Sequence, residues 1–169
     1  MHFNRGNLMS ELDQHERALA SYDAAIRIKS DYAEAYSNRG LALAALKRWE
    51  ASLESFDRAI LIKSDLAEAH SNRGNLLMQL EQFRGALASF DRAIACKADY
   101  TEAHCNRGNA LLALKDPAAA LASFDAAIEI QGDNAQAHCN RGLAQAELKQ
   151  WLEAMASFDR AIAIKSDFA

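Results

Sequence analysis

Asparagine recurs at Asn4, Asn38, Asn72, Asn106 and Asn140, and each time the next two residues are arginine and glycine. A side-chain amide carries two donors and an acceptor oxygen, the same set that a peptide bond offers, so evenly spaced asparagines are suited to holding a polypeptide backbone. Further amides stand three residues later at Asn75 and Asn109. The arginines Arg5, Arg39, Arg73, Arg107 and Arg141 are equally regular, as are the aspartates Asp23, Asp57, Asp91, Asp125 and Asp159. An arginine can lay its stem on apolar surface while its guanidinium meets a carboxylate, so a repeated Arg–Asp pair joining one unit to the next is the preferred reading. A second row of acids, beginning with Asp31, Asp65, Asp99 and Asp133, is the competing partner for the arginines.

His104-Cys105 and His138-Cys139 raise the question of a metal. Neighbouring helical residues diverge by about 100°, and packed helices lie about 10 Å apart. Tetrahedral zinc needs four ligands within about 2.0–2.3 Å of the ion, so these pairs do not make a site, and no cofactor is expected. The same separation disfavours a Cys105–Cys139 disulfide. With an odd number of cysteines and no CxxC, Cys96, Cys105 and Cys139 read as reduced thiols of a cytoplasmic protein. His2, His70, His104 and His138 share one repeat position and read as packing residues. No nucleophile–base pair or phosphate-cradling loop emerges, and the chain reads as a non-enzyme.

These residues are positioned by a 34-residue period over 169 residues, which defines units 1–32, 33–66, 67–100, 101–134 and 135–168. Each unit predicts two helices. In the second they run from about Ala33 to Leu46 and from about Glu50 to Lys63, the latter with an apolar stripe of Trp49, Leu53, Phe56 and Ile60 at helical spacing. Asp31, Asp65 and Asp99 each precede a glutamate by three residues, and Asp133 precedes Gln136, a capping-box spacing that predicts aspartate N-caps. Asp116-Pro117 opens a helix with proline in its first turn. A glycine stands at position 8 of every unit, at a cost of about 1 kcal/mol relative to alanine. An aromatic (Tyr22, Phe56, Phe90, Phe124, Phe158) stands at position 24. A close helix crossing beside a buried ring, worth roughly 1.5–3 kcal/mol, explains the exchange.

Composition narrows the partners. Half the residues are hydrophobic, there is one proline, and the net charge is −4. No basic stripe supports nucleic-acid binding, no apolar run is long enough to span a membrane, and the N-terminus lacks a signal peptide's basic start and apolar core.

The period, the position-8 glycines, the small residues at positions 20 and 27 and the aromatic at position 24 resemble the tetratricopeptide repeat. Arginine stands where that family has leucine at position 7, and Ser30, Ser64, Ala98, Gly132 and Ser166 stand where it has proline. The resemblance implies an all-α, right-handed solenoid of five helix–turn–helix units forming one array over 1–169. It also implies a protein-interaction scaffold that binds an extended segment on its concave face. Positions 2, 5, 6, 9 and 12 line that face in the family, which places Ser37, Ser71, Cys105 and Cys139 beside Asn4, Asn38, Asn72, Asn75, Asn106, Asn109 and Asn140. The wording Ala-Tyr-Ser-Asn, Ala-His-Ser-Asn and Ala-His-Cys-Asn is similar to the repeat domain of the O-linked N-acetylglucosamine transferases. There, asparagines at this position hold substrate polypeptide. That likeness covers the first helix of units two to five, and the arginines match bacterial members better than animal ones. It implies, as an alternative, a substrate-recruiting piece of a larger glycosyltransferase. A third expectation is self-association. No polar capping helix follows Lys165, so Phe158, Ala161, Ile162 and Ile164 are expected to be partly uncovered and available for head-to-tail stacking.

Overall fold

A computed structural model describes residues 1–166. Those residues form ten α-helices: α1 (His2–Glu11), α2 (His15–Ile28), α3 (Ala33–Ala45), α4 (Trp49–Ile62), α5 (Ala67–Gln79), α6 (Phe83–Cys96), α7 (Thr101–Ala113), α8 (Pro117–Ile130), α9 (Ala135–Glu147) and α10 (Trp151–Ser166). The last residues of the fifth repeat, 167 and 168, lie outside the described residues. The chain divides into two compact units, Met1–Gln79 with α1 to α5 and a second that begins at Leu80 with α6 to α10. Odd-numbered helices are the first of each repeat and even-numbered helices the second.

In the first unit α1 packs on α2 and α3 on α4, and α3 also touches α1 and α5. In the second unit α7 packs on α8 and α9 on α10, and α7 touches α9. Within neither unit do two even-numbered helices meet. The odd-numbered helices therefore crowd together on the inner side of each unit and the even-numbered ones splay apart on the outer side. The row of asparagines belongs to the crowded side.

The glycine–aromatic exchange holds wherever it is visible. A Cβ on Gly6, Gly40, Gly108 or Gly142 would stand 2.5, 2.6, 2.5 or 2.6 Å from the ring of Tyr22, Phe56, Phe124 or Phe158. No side chain fits there, and the rings of Tyr22, Phe56 and Phe124 are buried.

The turn inside each repeat is built without glycine. Asp13, Lys47, Glu81, Lys115 and Lys149 adopt the left-handed conformation, with φ between 55° and 63°. At Lys47 the backbone shows why. Its N–H donates to the Ala44 carbonyl and the Arg48 N–H to the Leu43 carbonyl, a Schellman closure that satisfies the last carbonyls of α3.

The aspartate caps are a correction. α3 and α7 begin with Tyr32 and Tyr100 in the cap position and no side-chain cap, so Asp31 and Asp99 stand one residue too early. The connection is closed instead as a tight turn. Leu66, Tyr100 and Asn134 donate their N–H to the carbonyls of Lys63, Lys97 and Gln131, which fixes position 34 as the cap. Only where that residue is Asn134 does a side chain reach the helix, accepting from the Ala137 N–H at 3.0 Å; Asp133 is not the cap. The proline-led start of α8 is as expected, with Asp116 accepting from the Ala119 N–H.

Candidate functional site

The candidate site is the inner face of each unit, formed by that unit's own odd-numbered helices, and it rests on a clamp that fixes their rotation. The Nε of Arg39, Arg73 and Arg107 stands 2.7 Å from Oδ1 of Asp23, Asp57 and Asp91, and Arg141 Nη1 lies 3.3 Å from Asp125 Oδ1. Each arginine lies in the first helix of a repeat and each aspartate in the second helix of the repeat before. The structure therefore selects the position-25 acids over those at position 33. A third residue, absent from the sequence reading, completes the clamp. Ser55, Ser123 and Ser157 accept from Arg39, Arg107 and Arg141 at 2.7 to 3.0 Å. Ser21, Ser55, Ser89 and Ser123 also donate to the carbonyl four residues back. Strict 34-residue spacing of these serines was the signal in the sequence.

The histidines hold the connections. Nε2 of His70, His104 and His138 lies 3.0, 2.9 and 3.0 Å from the carbonyls of Ser64, Ala98 and Gly132, each six residues earlier. Since a carbonyl only accepts, Nε2 carries the proton in each. Among the described residues, no three His, Cys, Asp or Glu side chains converge as a metal site. Cys96, Cys105 and Cys139 are free thiols. Cys105 packs with Ala127 and Ala137, and burial pushes its thiol up to about 11, with Glu102 adding in the same direction.

On the inner face the amides meet one another in register. Asn38 Nδ2 donates to Asn7 Oδ1 at 2.9 Å, and the Tyr22 hydroxyl donates to the same oxygen at 3.0 Å. In the second unit Asn140 Nδ2 donates to Asn109 Oδ1 at 2.8 Å, while Gln136 donates to Asn140 Oδ1 at 2.7 Å. Asn72 Nδ2 lies 3.5 Å from Ser37 Oγ. Asn4 is exposed, Asn75, Asn106 and Asn109 are half-buried, and Asn140 is buried. Asn7 was missed by the sequence reading, although Asn-Arg-Gly-Asn recurs in three repeats. Ser37, Ser71 and Cys105, expected on the groove, are buried and contribute little surface to it.

Two hollows open beside this row. One, of about 480 Å³, is bordered by Lys97, Tyr100, Cys105, Asn106, Asn134 and Gln136 in the second unit. The other, of about 380 Å³ in the first unit, is more apolar, with Phe3, Asn4, Ile28, Lys29 and Tyr32. Phe3 and Tyr32 pack at a tilt of 39° with centroids 4.9 Å apart, and the ammonium groups of Lys29 and Lys97 stand over Tyr32 and Tyr100 at 5.0 and 5.2 Å.

Paired helices with the small and aromatic residues interlocked and an amide-lined inner face define a helical-repeat interaction module. The chain belongs to the tetratricopeptide repeat family. The model described as "TPR repeat" matches residues 6–47 and 40–81, and that described as "Tetratricopeptide repeat" matches 71–135 and 105–167. The chain is 30% identical to YrrB, described as a TPR protein with an unusual peptide-binding site, over 98% of this chain and 86% of that one, with a TM-score of 0.80. The fold is also similar to that of MamA (18% identity, 96% and 95% covered, TM-score 0.87). Pseudomonas aeruginosa pilF gives 16% identity, with 96% and 74% covered and a TM-score of 0.89. No curated protein matches the chain. No described helix is long and apolar enough to cross a membrane.

Proposed function

We propose that the chain acts as one array of five repeats, a non-catalytic scaffold that binds an extended polypeptide along the inner face. Asn4, Asn38, Asn72, Asn75, Asn106, Asn109 and Asn140 provide the backbone contacts. The observation that carries this reading is the amide row, held in register by the bonds from Asn38 to Asn7 and from Asn140 to Asn109. An amide that gives one N–H to its neighbour retains a second, so these links orient the row and leave capacity for a ligand. Packed helices about 10 Å apart put one amide opposite every third residue of an extended chain, at about 3.3 Å per residue. Likeness to a peptide-binding TPR protein at 30% identity agrees with it. Three free thiols support a reducing, cytoplasmic setting.

The test is a peptide selected from a random display library on the 169-residue chain. Replacing Asn72, Asn106 and Asn140 with alanine should weaken that peptide by about 1 kcal/mol per lost bond, with helicity unchanged. Unchanged affinity would assign the amides to the fold alone.

A further inference from the structure

Apolar exposure does not follow the sequence reading throughout: Ala161 and Ile164 on α10, expected to be partly uncovered, are buried. On the inner face two leucines stand open instead, Leu41 of α3 at 44% and Leu143 of α9 at 49% exposure. Each lies three residues after an asparagine that donates to the first helix of the preceding repeat, Asn38 to Asn7 and Asn140 to Asn109. Residues three apart share a helix face, so each unit carries an amide pair with an open leucine beside it.

The surroundings of the two pairs differ. In the first unit a further hollow, of about 320 Å³, is bordered by Asn7, Ser10, Glu11, Tyr22, Asn38 and Leu41. Asn7 Oδ1 already accepts from both Asn38 and the Tyr22 hydroxyl, which fills its two lone pairs. Glu11 is the charged residue of the six. It is exposed and forms no ion pair among the described residues. It is also the last residue of α1, where a carboxylate opposes the helix dipole, so it does nothing for that helix. Burial holds the Tyr22 hydroxyl above its ordinary range and the Glu11 charge adds to the rise, so the carboxylate is felt inside the hollow. At the same repeat positions around Asn109, Asn140 and Leu143, the second unit has Leu112, Ala113 and Phe124 in place of Ser10, Glu11 and Tyr22. Neither charge nor hydroxyl stands there.

We infer that the hollow of the first unit is a subsite for a lysine or arginine side chain of the bound polypeptide, an inference that rests on the inner-face binding proposed above. The aliphatic stem would lie on Leu41 while the cationic head meets Glu11, with Ser10 Oγ as a second acceptor. Lysine and arginine only donate, which complements a carboxylate that only accepts. An acidic side chain would meet Glu11 at like charge, and an apolar one would leave the carboxylate without a partner. The second unit offers no such acceptor at the matching positions, so the preference for a basic residue belongs to the first. The amide pairs are alike in holding backbone, and the residues beside them set which side chain each unit reads.

Peptides selected from a random display library on the 169-residue chain test this. The expected result is a lysine or arginine at one fixed position of the selected peptides. Replacing it with norleucine, or making Glu11→Gln in the protein, should each weaken binding about three- to fivefold at low salt and less at high salt. The two changes together should cost no more than either alone, because they remove one and the same contact. Glu11 is exposed at a helix end, so Glu11→Gln should leave helicity unchanged. Alanine at Asn72, Asn106 and Asn140 separates the two levels of the argument. Peptides that depend on those amides but share no basic residue, or that bind the Glu11→Gln chain equally well, would overturn the subsite and leave inner-face binding standing. A library that yields no binder, or binders indifferent to the amides, would overturn both.

Discussion

Replacing Gly108 with alanine isolates the packing argument, because helix propensity and structure predict opposite signs. Propensity alone favours alanine by about 1 kcal/mol in a helix interior. The new Cβ, however, would stand 2.5 Å from Phe124 Cε1 and 2.6 Å from Cζ. That is about 1 Å inside normal carbon contact. Phe124 cannot retreat, being fully buried in a cluster with Leu111, Ala120 and Ala144. Overpacking of this kind costs about 1–3 kcal/mol, so the net effect is a loss of about 0–2 kcal/mol. Gly142→Ala is the control. Its Cβ would meet Phe158 Cε1 at 2.6 Å, an equal overlap, but Phe158 is half-exposed and its ring can swing outward. The propensity gain is common to both variants and cancels in the difference, leaving Gly108→Ala less stable than Gly142→Ala by about 1–2 kcal/mol. Thermal unfolding followed by circular dichroism should show this as a gap of about 2–8 °C in Tm. Amide exchange at α7 and α9 checks it repeat by repeat, because unfolding of an array need not be all-or-none. A Phe124→Leu background should relieve part of the cost of Gly108→Ala. The reasoning is refuted if Gly108→Ala exceeds the wild-type stability, or if the two alanine variants shift equally.

Cys105 should be the slowest of the three thiols towards iodoacetamide in the folded chain, since burial holds its thiol near 11. Its linkage runs against alkali. Between the ordinary value of 9.0 and about 11 the unfolded thiol ionises while the folded one keeps its proton, so stability falls across that interval. Cys105→Ser should lessen the fall in a urea titration against pH. Lys115→Gly should stabilise by up to about 1 kcal/mol, because a left-handed residue without a Cβ avoids the steric cost that lysine bears at φ 63°. Chemical denaturation would show it, and a loss of stability would contradict the turn geometry. Asp91→Ala should cost about 1 kcal/mol or less in low salt, and the difference from wild type should shrink in high salt, since both partners of the Arg107 pair are part-exposed.

What was legible in the sequence was whatever recurs with one residue type at one position. The glycine–aromatic contact and the Arg–Asp pair are of that kind, and each is fixed by packing that is the same in every repeat. The aspartate caps failed because the turn sets the cap one residue later, at Tyr32, Tyr100 and Asn134, whatever side chain stands there. The choice between Asp133 and Asn134 was made by where the Asn134 N–H closes the turn on Gln131, a backbone event with no residue signature. The left-handed turn was hidden for the opposite reason. Asp13, Lys47, Glu81, Lys115 and Lys149 share a conformation but no side-chain type, and without glycine no residue marks it. The inner face was read one position too wide. Counting by about 100° per residue puts position 5 beside position 6, yet Ser71 and Cys105 turn into the packing between helices.

Arginine at position 7 changes what the repeat transmits. A leucine there would join helices by area alone, which tolerates rotation of one helix about its axis. The clamp does not: Arg107 reaches Asp91 on one neighbouring helix and Ser123 on the other, so two bonds of defined direction hold α7. Asn106 precedes Arg107 in the chain, and about 100° separates the two side chains around the helix. Fixing the arginine therefore fixes the angle at which the adjacent amide is presented. The same geometry links Arg39 to Asn38 and Arg141 to Asn140, where the amides do meet the first helix of the preceding repeat. Each ion pair contributes little to stability on its own. Its value lies in direction: in α3, α5, α7 and α9 the paired arginine sets the aim of the amide next to it.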